Sequence, residues 1–324
     1  MPRKPLLLAL DFGGTKLSAA LAMAGESRWL ALERVLSPPD ANAVSDLDTM
    51  LALSRALLAR VGEPLAAVGV SFGGPVDVRT GVVRLSHHVP GWDGFPLQDD
   101  LAKALGVPVR VDNDANVAAL GEWRFGSGQD CQSLLYITVS TGVGGGWILD
   151  GRIYHGADSM AGEIGHMLIQ PDGPPCTCGR RGCLEAVASG PAIARRVREL
   201  LEADAKRGAG LRTLVESDLT AITAWHVSQA AAAGDPLSWQ VLDEAAHVLG
   251  LGIASAVTLM NPQRVVIGGG MSKAGPRYFE VVRAVAKANT LLGIRVDIMP
   301  AALGDDAPLW GGIALAEELS SEKK

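Results

Sequence analysis

Several things are scarce in this sequence, and each scarcity argues against a class of protein. Of 324 residues only four are cysteine and 5% are aromatic. Three of the cysteines, Cys176, Cys178 and Cys183, are crowded together. Neighbours so close pair with difficulty and one is left over, so this is not a disulfide framework. No run of 18 uncharged apolar residues occurs, which argues against a membrane partner. Basic charge is not in excess: 29 Lys and Arg face 35 Asp and Glu, a net charge of −6, so no nucleic-acid partner is expected. The first glycine loop matches neither GxGxxG nor GxxxxGK[ST], and no helix pattern follows it, which disfavours a nicotinamide dehydrogenase. Met1 to Leu10 lacks the apolar region and cleavage site of a secretory signal, and the cytoplasm is the expected compartment.

What remains is ample for folding. Hydrophobic residues make up 48% and charged residues 20%, the balance of a globular chain. The length suits two domains, although it also permits one large barrel. Leu6–Asp11 reads as a buried strand running into Phe12-Gly13-Gly14-Thr15-Lys16 and then a second apolar strand, Leu17–Ala24. A helix is expected over Leu47–Val61, strands over Ala66–Phe72 and Val109–Val111, and a helix over Ala115–Trp123. From Ser133 the pattern repeats in kind. The strand SLLYITV leads to the glycine loop Ser140–Gly146 and then to Trp147–Leu149. Two such loops predict an internally duplicated α/β fold gripping a nucleotide from two sides. Helices are expected over Ala186–Ala203, Ser238–Met260, Pro276–Leu291 and Leu309–Leu319, and strands over Arg264–Ile267 and Arg295–Ile298. Residues 208–233 read as helices joined by a variable connection without an assigned role, and Ser320–Lys324 as a frayed tail.

Asp11 stands at the carboxyl end of the first strand, just before glycines whose amides suit phosphate oxygens, and a carboxylate there suits Mg²⁺. A plain hairpin turn would explain that loop alone. It does not explain a second loop with Gly142, Gly144, Gly145 and Gly146 behind the hydroxyls of Ser140 and Thr141, or a third turn at Gly268–Gly270, all costly in backbone entropy. Asp112-Asn113-Asp114-Ala115-Asn116 packs four short polar side chains at a strand-to-helix junction. A helix cap would explain one of them, Asp112 or Asn113, but not four. An amide that bonds a polyol in two directions beside a carboxylate that accepts a hydroxyl proton is also what a sugar kinase requires.

His166, Cys176, Cys178 and Cys183 are spaced H-x9-C-x-C-x4-C in a segment rich in Pro and Gly. Three thiols buried as small hydrophobes are the alternative, but a loop gives them little reason to gather. Three thiolates and an imidazole make a closed tetrahedral zinc site, structural in kind. Glu163 and Glu185 flank this loop, where the metal would hold them toward a ligand.

Taken together, these segments resemble the ROK family of bacterial sugar kinases and sugar-responsive regulators, closest in pattern to its glucokinases. The resemblance rests on Asp11–Lys16, Gly73-Gly74-Pro75-Val76-Asp77, Asp112–Asn116 with Gly121-Glu122, Ser140–Gly146, Ala161–His166 and Cys176–Glu185. It implies the actin-like ATPase (ribonuclease H-like) duplicated fold, two α/β domains flanking a ligand cleft. We expect residues 1–118, completed by a C-terminal helix 305–320, in one domain, and 119–304, with the zinc loop 166–183, in the other. It further implies transfer of the γ-phosphoryl group of ATP to a hexose 6-hydroxyl, with Asp114 as general base. Asn113, Glu163, His166 and Glu185 would hold ring hydroxyls, and Gly74 would contact the sugar through its backbone. Asp11 would serve Mg²⁺, Gly14, Thr15, Thr141 and Gly142 the phosphates, and Gly268 and Gly269 the adenosine. Gly13 belongs to the same phosphate turn, and Lys16 adds its charge there. His166 would place one ring nitrogen on zinc and the other toward the sugar.

Glucose is the expected substrate. N-acetylglucosamine or N-acetylmannosamine comes next, then mannose or fructose. A sugar-sensing transcriptional regulator ranks below these, because the five residues before the first strand cannot form a DNA-binding domain. The resemblance also implies a homodimer or homotetramer.

Overall fold

The computed structural model describes residues 4–86 and 89–322. In chain order the elements are β1 (Leu6–Phe12), β2 (Lys16–Met23), β3 (Ala31–Leu36), α1 (Ala43–Val61), β4 (Leu65–Phe72), the short strands β5 (Val76–Asp77) and β6 (Val82–Val83), α2 (Leu97–Leu105), β7 (Val109–Asn113) and α3 (Asp114–Phe125). They continue as β8 (Ser133–Val139), β9 (Val143–Leu149), β10 (Arg152–Ile153), α4 (Leu184–Ala188), α5 (Gly190–Ala203), α6 (Ala209–Leu214), α7 (Ala224–Ala232), α8 (Pro236–Met260), β11 (Arg264–Gly268), α9 (Pro276–Asn289), β12 (Asp297–Pro300) and α10 (Ala307–Ser321).

Ten of the strands form two five-stranded sheets of the same plan, and β5 and β6 pair with each other. The first has the order β3-β2-β1-β4-β7 and the second β10-β9-β8-β11-β12. In the first, β2 pairs antiparallel with both β1 and β3, whereas β4 runs parallel to β1 and β7 parallel to β4. In the second, β9 and β10 are likewise antiparallel and β11 and β12 parallel. The duplication expected from paired glycine loops is therefore present in the strand order.

Two compact units result. One takes Met1–Tyr136, Gly146–Gly162 and Ala302–Lys324, and the other Ile137–Gly145 and Glu163–Ala301. The boundary expected at residue 118 would have cut α3, but that helix stays whole within the first unit because it packs along α10. Every residue of β1 is buried, as expected of a central strand covered on both faces. One face carries Leu8, Leu10, Val68, Val70 and Trp92. The other carries Leu7, Ala9 and Ala67 against Leu309, Trp310 and Ile313 of α10.

The α10 contact is unusually close. A Cβ on Gly311 would lie 1.8 Å from the Val117 carbonyl oxygen, one on Gly121 would lie 2.3 Å from that of Ala307, and one on Gly69 would lie 1.9 Å from that of Gly312. These glycines are needed for their lack of a side chain, so that helix and strand backbones touch.

Some elements depart from the sequence reading. Gly144–Gly146 lie in β9 and not in a loop. A Cβ on Gly146 would come 2.6 Å from the Ala115 carbonyl oxygen, so close approach by α3 explains that glycine. The helix expected over Ala186–Ala203 is broken at Ser189, whose side chain caps α5 ahead of Pro191. Residues 208–233 resolve into α6, a 3₁₀ turn at Leu219–Ala221 and α7. α10 runs through Ser321, part of the tail expected to fray, while Lys323 and Lys324 lie outside the described residues. α8 is long and apolar enough to cross a membrane, but 67% of its apolar window is buried inside the protein, which is how a core helix behaves.

Gly311→Ala is expected to destabilise the fold by about 2–3 kcal/mol or more, seen as a lower urea midpoint at an unchanged slope.

Candidate functional site

In the first sheet, Asp11 of β1 pairs with Ser71 of β4, and Ser71 pairs with Asp112 of β7. This register places three polar side chains in one row at the carboxyl ends of parallel strands, where α/β sheets bind ligands. The Ser71 hydroxyl donates to Asp11 Oδ1 at 2.8 Å. Burial pushes the Asp11 carboxyl up to about 6, against that hydrogen bond and the charges of Lys16 and Arg34. The turn after β1 is closed by Gly13 N–H to the Lys16 carbonyl at 3.1 Å and tied sideways by Ser37 N–H to the Thr15 carbonyl at 3.0 Å.

Asp112 is buried, with 3% of its side chain exposed. Its Oδ1 accepts from Asn113 N–H at 2.7 Å and Asn116 Nδ2 at 3.0 Å, and its Oδ2 meets His155 Nε2 at 2.5 Å. Asn113 is the N-cap of α3, accepting from Ala115 N–H at 3.0 Å, and its Nδ2 donates to the Gly74 carbonyl at 3.1 Å. Asp114 opens the helix, with Oδ1 accepting from Ala115 N–H at 2.8 Å, and the helix dipole favours its negative charge there. The cap expected at this junction is thus met by Asn113 Oδ1.

Two residues of this unit escaped the sequence reading. His155 follows the β9–β10 hairpin and carried no motif. Burial lowers its affinity for a proton, but the hydrogen bond and charge of Asp112 outweigh burial and raise it overall. Glu122, quoted only as part of a motif, is fully buried. It accepts from the N–H groups of Ser127, Ala302 and Leu303 at 2.9, 3.1 and 2.8 Å, so it grips the chain just before α10.

In the second unit, Ser140 N–H bonds the Gly142 carbonyl at 2.9 Å, closing a tight turn before β9. Val143 N–H donates to Glu185 Oε2 at 2.9 Å, while Thr177 Oγ1 donates to Glu185 Oε1 at 3.3 Å. Glu185 therefore joins the Thr141-Gly142 turn to the cysteine loop. Gly269 adopts φ 77° and passes so near Val139 that a Cβ would lie 2.5 Å from its carbonyl oxygen.

The ligand atoms of His166, Cys176, Cys178 and Cys183 all lie within 4.8 Å of one another. Cys178 and Cys183 sulfurs are 3.7 Å apart, as are Cys176 Sγ and His166 Nδ1. Four thiolate or imidazole ligands on a tetrahedron with bonds of about 2.3 Å stand roughly 3.8 Å apart, so the donor set fits zinc. His166 turns Nδ1 to the sulfurs and Nε2 toward Glu163, 3.9 Å away. Arg180 hydrogen bonds hold the Cys178 thiol down to about 6, whereas burial pushes Cys183 up to about 12.

The first unit thus gathers Asp11, Gly13, Gly14, Thr15, Lys16, Gly74, Asn113 and Asp114. The second holds Thr141, Gly142, Glu163, His166, Glu185, Gly268, Gly269 and the three cysteines. Because the folded Asp11 carboxyl keeps its proton to higher pH than the unfolded one, ionising it costs stability, and the loss develops as pH rises from about 4 to about 6. Asp11→Asn is therefore expected to stabilise the ligand-free protein near neutral pH by up to about 3 kcal/mol. The gain should vanish below about pH 4, measured by urea unfolding across pH.

Comparison with known proteins identifies the family. The ROK family profile matches residues 7–319. A glucokinase of Halalkalibacterium halodurans is 37% identical over 98% of this chain and 97% of its own length. An N-acetylmannosamine kinase of Shigella boydii is 34% identical over 96% and 98%. Among solved structures, a ROK family glucokinase from Streptomyces griseus in complex with glucose and AMPPNP superposes with a TM-score of 0.82 at 33% identity, covering 97% of this chain and 99% of its own. A ROK family transcriptional regulator, a homologue of the E. coli MLC protein, gives 0.86 at 27% identity, covering 97% of this chain and 78% of its own. With a profile match over nearly its whole length and these relatives beside it, the chain belongs to the ROK family and has its actin-like sugar-kinase fold.

Proposed function

We propose that the protein is an ATP-dependent glucokinase that phosphorylates the 6-hydroxyl of glucose. The Asp112-Asn113-Asp114 junction carries this reading. It offers an amide already directed at the Gly74 carbonyl and, one residue on, a carboxylate at a helix N-terminus. Similarity to glucokinases, one of them solved with glucose and an ATP analogue, supports it.

In this mechanism Asn113 and the Gly74 backbone orient the sugar, and Asp114 accepts the proton of the 6-hydroxyl as its oxygen attacks the γ-phosphorus and the bond from that phosphorus to the leaving ADP breaks. Glu163, the Nε2 of His166 and Glu185 hold ring hydroxyls. For Glu185 this means sharing a carboxylate already bonded to Val143 N–H. The amides of Gly13, Gly14, Thr15, Thr141 and Gly142, with the Lys16 ammonium, receive phosphate charge, and Gly268 and Gly269 allow the adenosine to approach. Asp11 is suited to Mg²⁺, because a buried carboxylate whose ionisation is hindered gains most from a neighbouring cation. When bound, Mg²⁺ supplies charge neutralisation at the phosphates. His166, Cys176, Cys178 and Cys183 would hold zinc, which would add rigidity to the loop between Glu163 and Glu185. A reducing compartment such as the cytoplasm keeps those thiols available.

The N-acetylmannosamine kinase at 34% identity favours a second reading of the substrate. A panel of glucose, mannose, fructose, N-acetylglucosamine and N-acetylmannosamine with ATP decides between them, and the highest kcat/KM is expected on glucose. Preference for an acetylated sugar would move the assignment there. Asp114→Ala is expected to lower kcat by about 10²-fold or more while sugar affinity changes little, and near-normal turnover would remove the base from this position. Elemental analysis is expected to find about one zinc per chain, lost in Cys183→Ser together with several degrees of melting temperature.

A further inference from the structure

The Asp112 carboxylate is unused by the mechanism above, yet it is buried one residue from the sugar-binding amide and two from the base. Two of its three hydrogen bonds come from its own turn, from Asn113 N–H and Asn116 Nδ2, and both end on Oδ1. The third ends on Oδ2 and comes from His155, 43 residues away in sequence. Like the bond from Asn113 Nδ2 to the Gly74 carbonyl, it ties the junction to another part of the fold. The local pair leaves the carboxylate free to swing about Oδ1, and the imidazole prevents this. The His155 backbone is itself held, its carbonyl accepting from Ala161 N–H at 3.0 Å, so the tether has a fixed end.

The surroundings of the imidazole suit this task. Its side chain is 30% exposed, on the wall of a cavity of about 1080 Å³ within the first unit, lined also by Arg110, Trp123, Arg152 and Glu318. A histidine placed only to fill space would not need its ring nitrogen on a carboxylate that is itself 3% exposed. A charge so buried holds its partners firmly and tolerates their loss poorly.

We propose that His155 is a positioning residue for phosphoryl transfer, whose Nε2–H locks the Asp112 carboxylate and, through the Asn113 N–H, sets the angle at which Asn113 and Asp114 meet the sugar. The inference rests on Asp114 being the general base. With the bond gone, Asp112 rotates, the peptide after it follows, and Asp114 loses its aim at the hydroxyl. Misplacement of a base by a fraction of an ångström is felt mainly in kcat, because binding contacts are more forgiving than the alignment of attack.

Two substitutions of similar polarity separate positioning from a general structural role. His155→Gln carries an amide N–H near the place of Nε2, whereas the shorter His155→Asn does not reach it. Assayed with the preferred sugar and ATP, the Asn variant is expected to lose about tenfold or more in kcat with sugar KM within about threefold. The Gln variant is expected to keep kcat within about threefold of the parent. Equal kcat for the two variants, or a loss confined to KM, would overturn the proposal. Nitrogen-15 spectra of the parent protein's imidazoles give a second test that needs no variant. Nε2 of His155 is expected to carry a proton at neutral and mildly alkaline pH, and a bare Nε2 would overturn the proposal. Asp114→Asn assayed beside them keeps the outcomes apart. If it is active, the base assignment fails, and if it is inactive while the Gln and Asn variants match, only the His155 role fails.

Discussion

Backbone meets backbone where α10 crosses the first sheet and α3, and the rest of the first unit depends on that contact. Glycines 69, 121, 311 and 312 leave no side chain between the elements, so α10 sets the position of α3 to within the width of a peptide. The N-terminus of α3 is Asp114. The placement of the proposed base is thus inherited from van der Waals contact on the far side of the sheet, where packing is too tight to allow gradual adjustment. Glu122 adds a polar counterpart, a buried carboxylate that grips the chain at Ala302 and Leu303 just before α10 begins.

Two buried carboxylates in one row of the sheet are treated in opposite ways. Asp112 is met by three donors and anchors its turn. Asp11 is met by Ser71, and its carboxyl is pushed up to about 6 by burial. A fold built only for stability would have paired both or buried neither. The contrast fits Asp112 to the frame and Asp11 to the Mg²⁺ role proposed for it above. The cysteine loop likewise gathers four ligand atoms within 4.8 Å of one another.

How much of this was legible in the sequence follows from the range of the interactions involved. β1, β4 and β8 could be read because their apolar runs are continuous, and the clustering of His166 with three cysteines because thiol and imidazole chemistry permits few other readings of their spacing. β3 could not, since Ala31–Leu36 mixes charged and apolar residues and is a strand by virtue of its register on β2. α2 was missed behind the proline and glycine signals that surround it. Gly146 looked like part of a loop because a glycine excused by a neighbouring backbone and one excused by a turn are identical as letters. His155 was invisible for the same reason: its meaning lies in a contact with Asp112, and neither residue has a local pattern that points to the other. The candidate site residues that the sequence does single out are those whose chemistry is local.

The order of synthesis gives the α10 contact a consequence for how the protein comes into being. Leu7, Ala9, Ala20, Ala22 and Ala67 form a greasy face that is not fully covered until Leu309, Trp310 and Ile313 arrive. A ribosome emits these residues long after β4, so the nascent sheet must wait half-dressed while the entire second unit is made. Newborn chains of this design should lean on chaperones that shield apolar surface, and a premature stop a few codons before α10 should leave a sticky polypeptide that is cleared and never becomes a shortened enzyme.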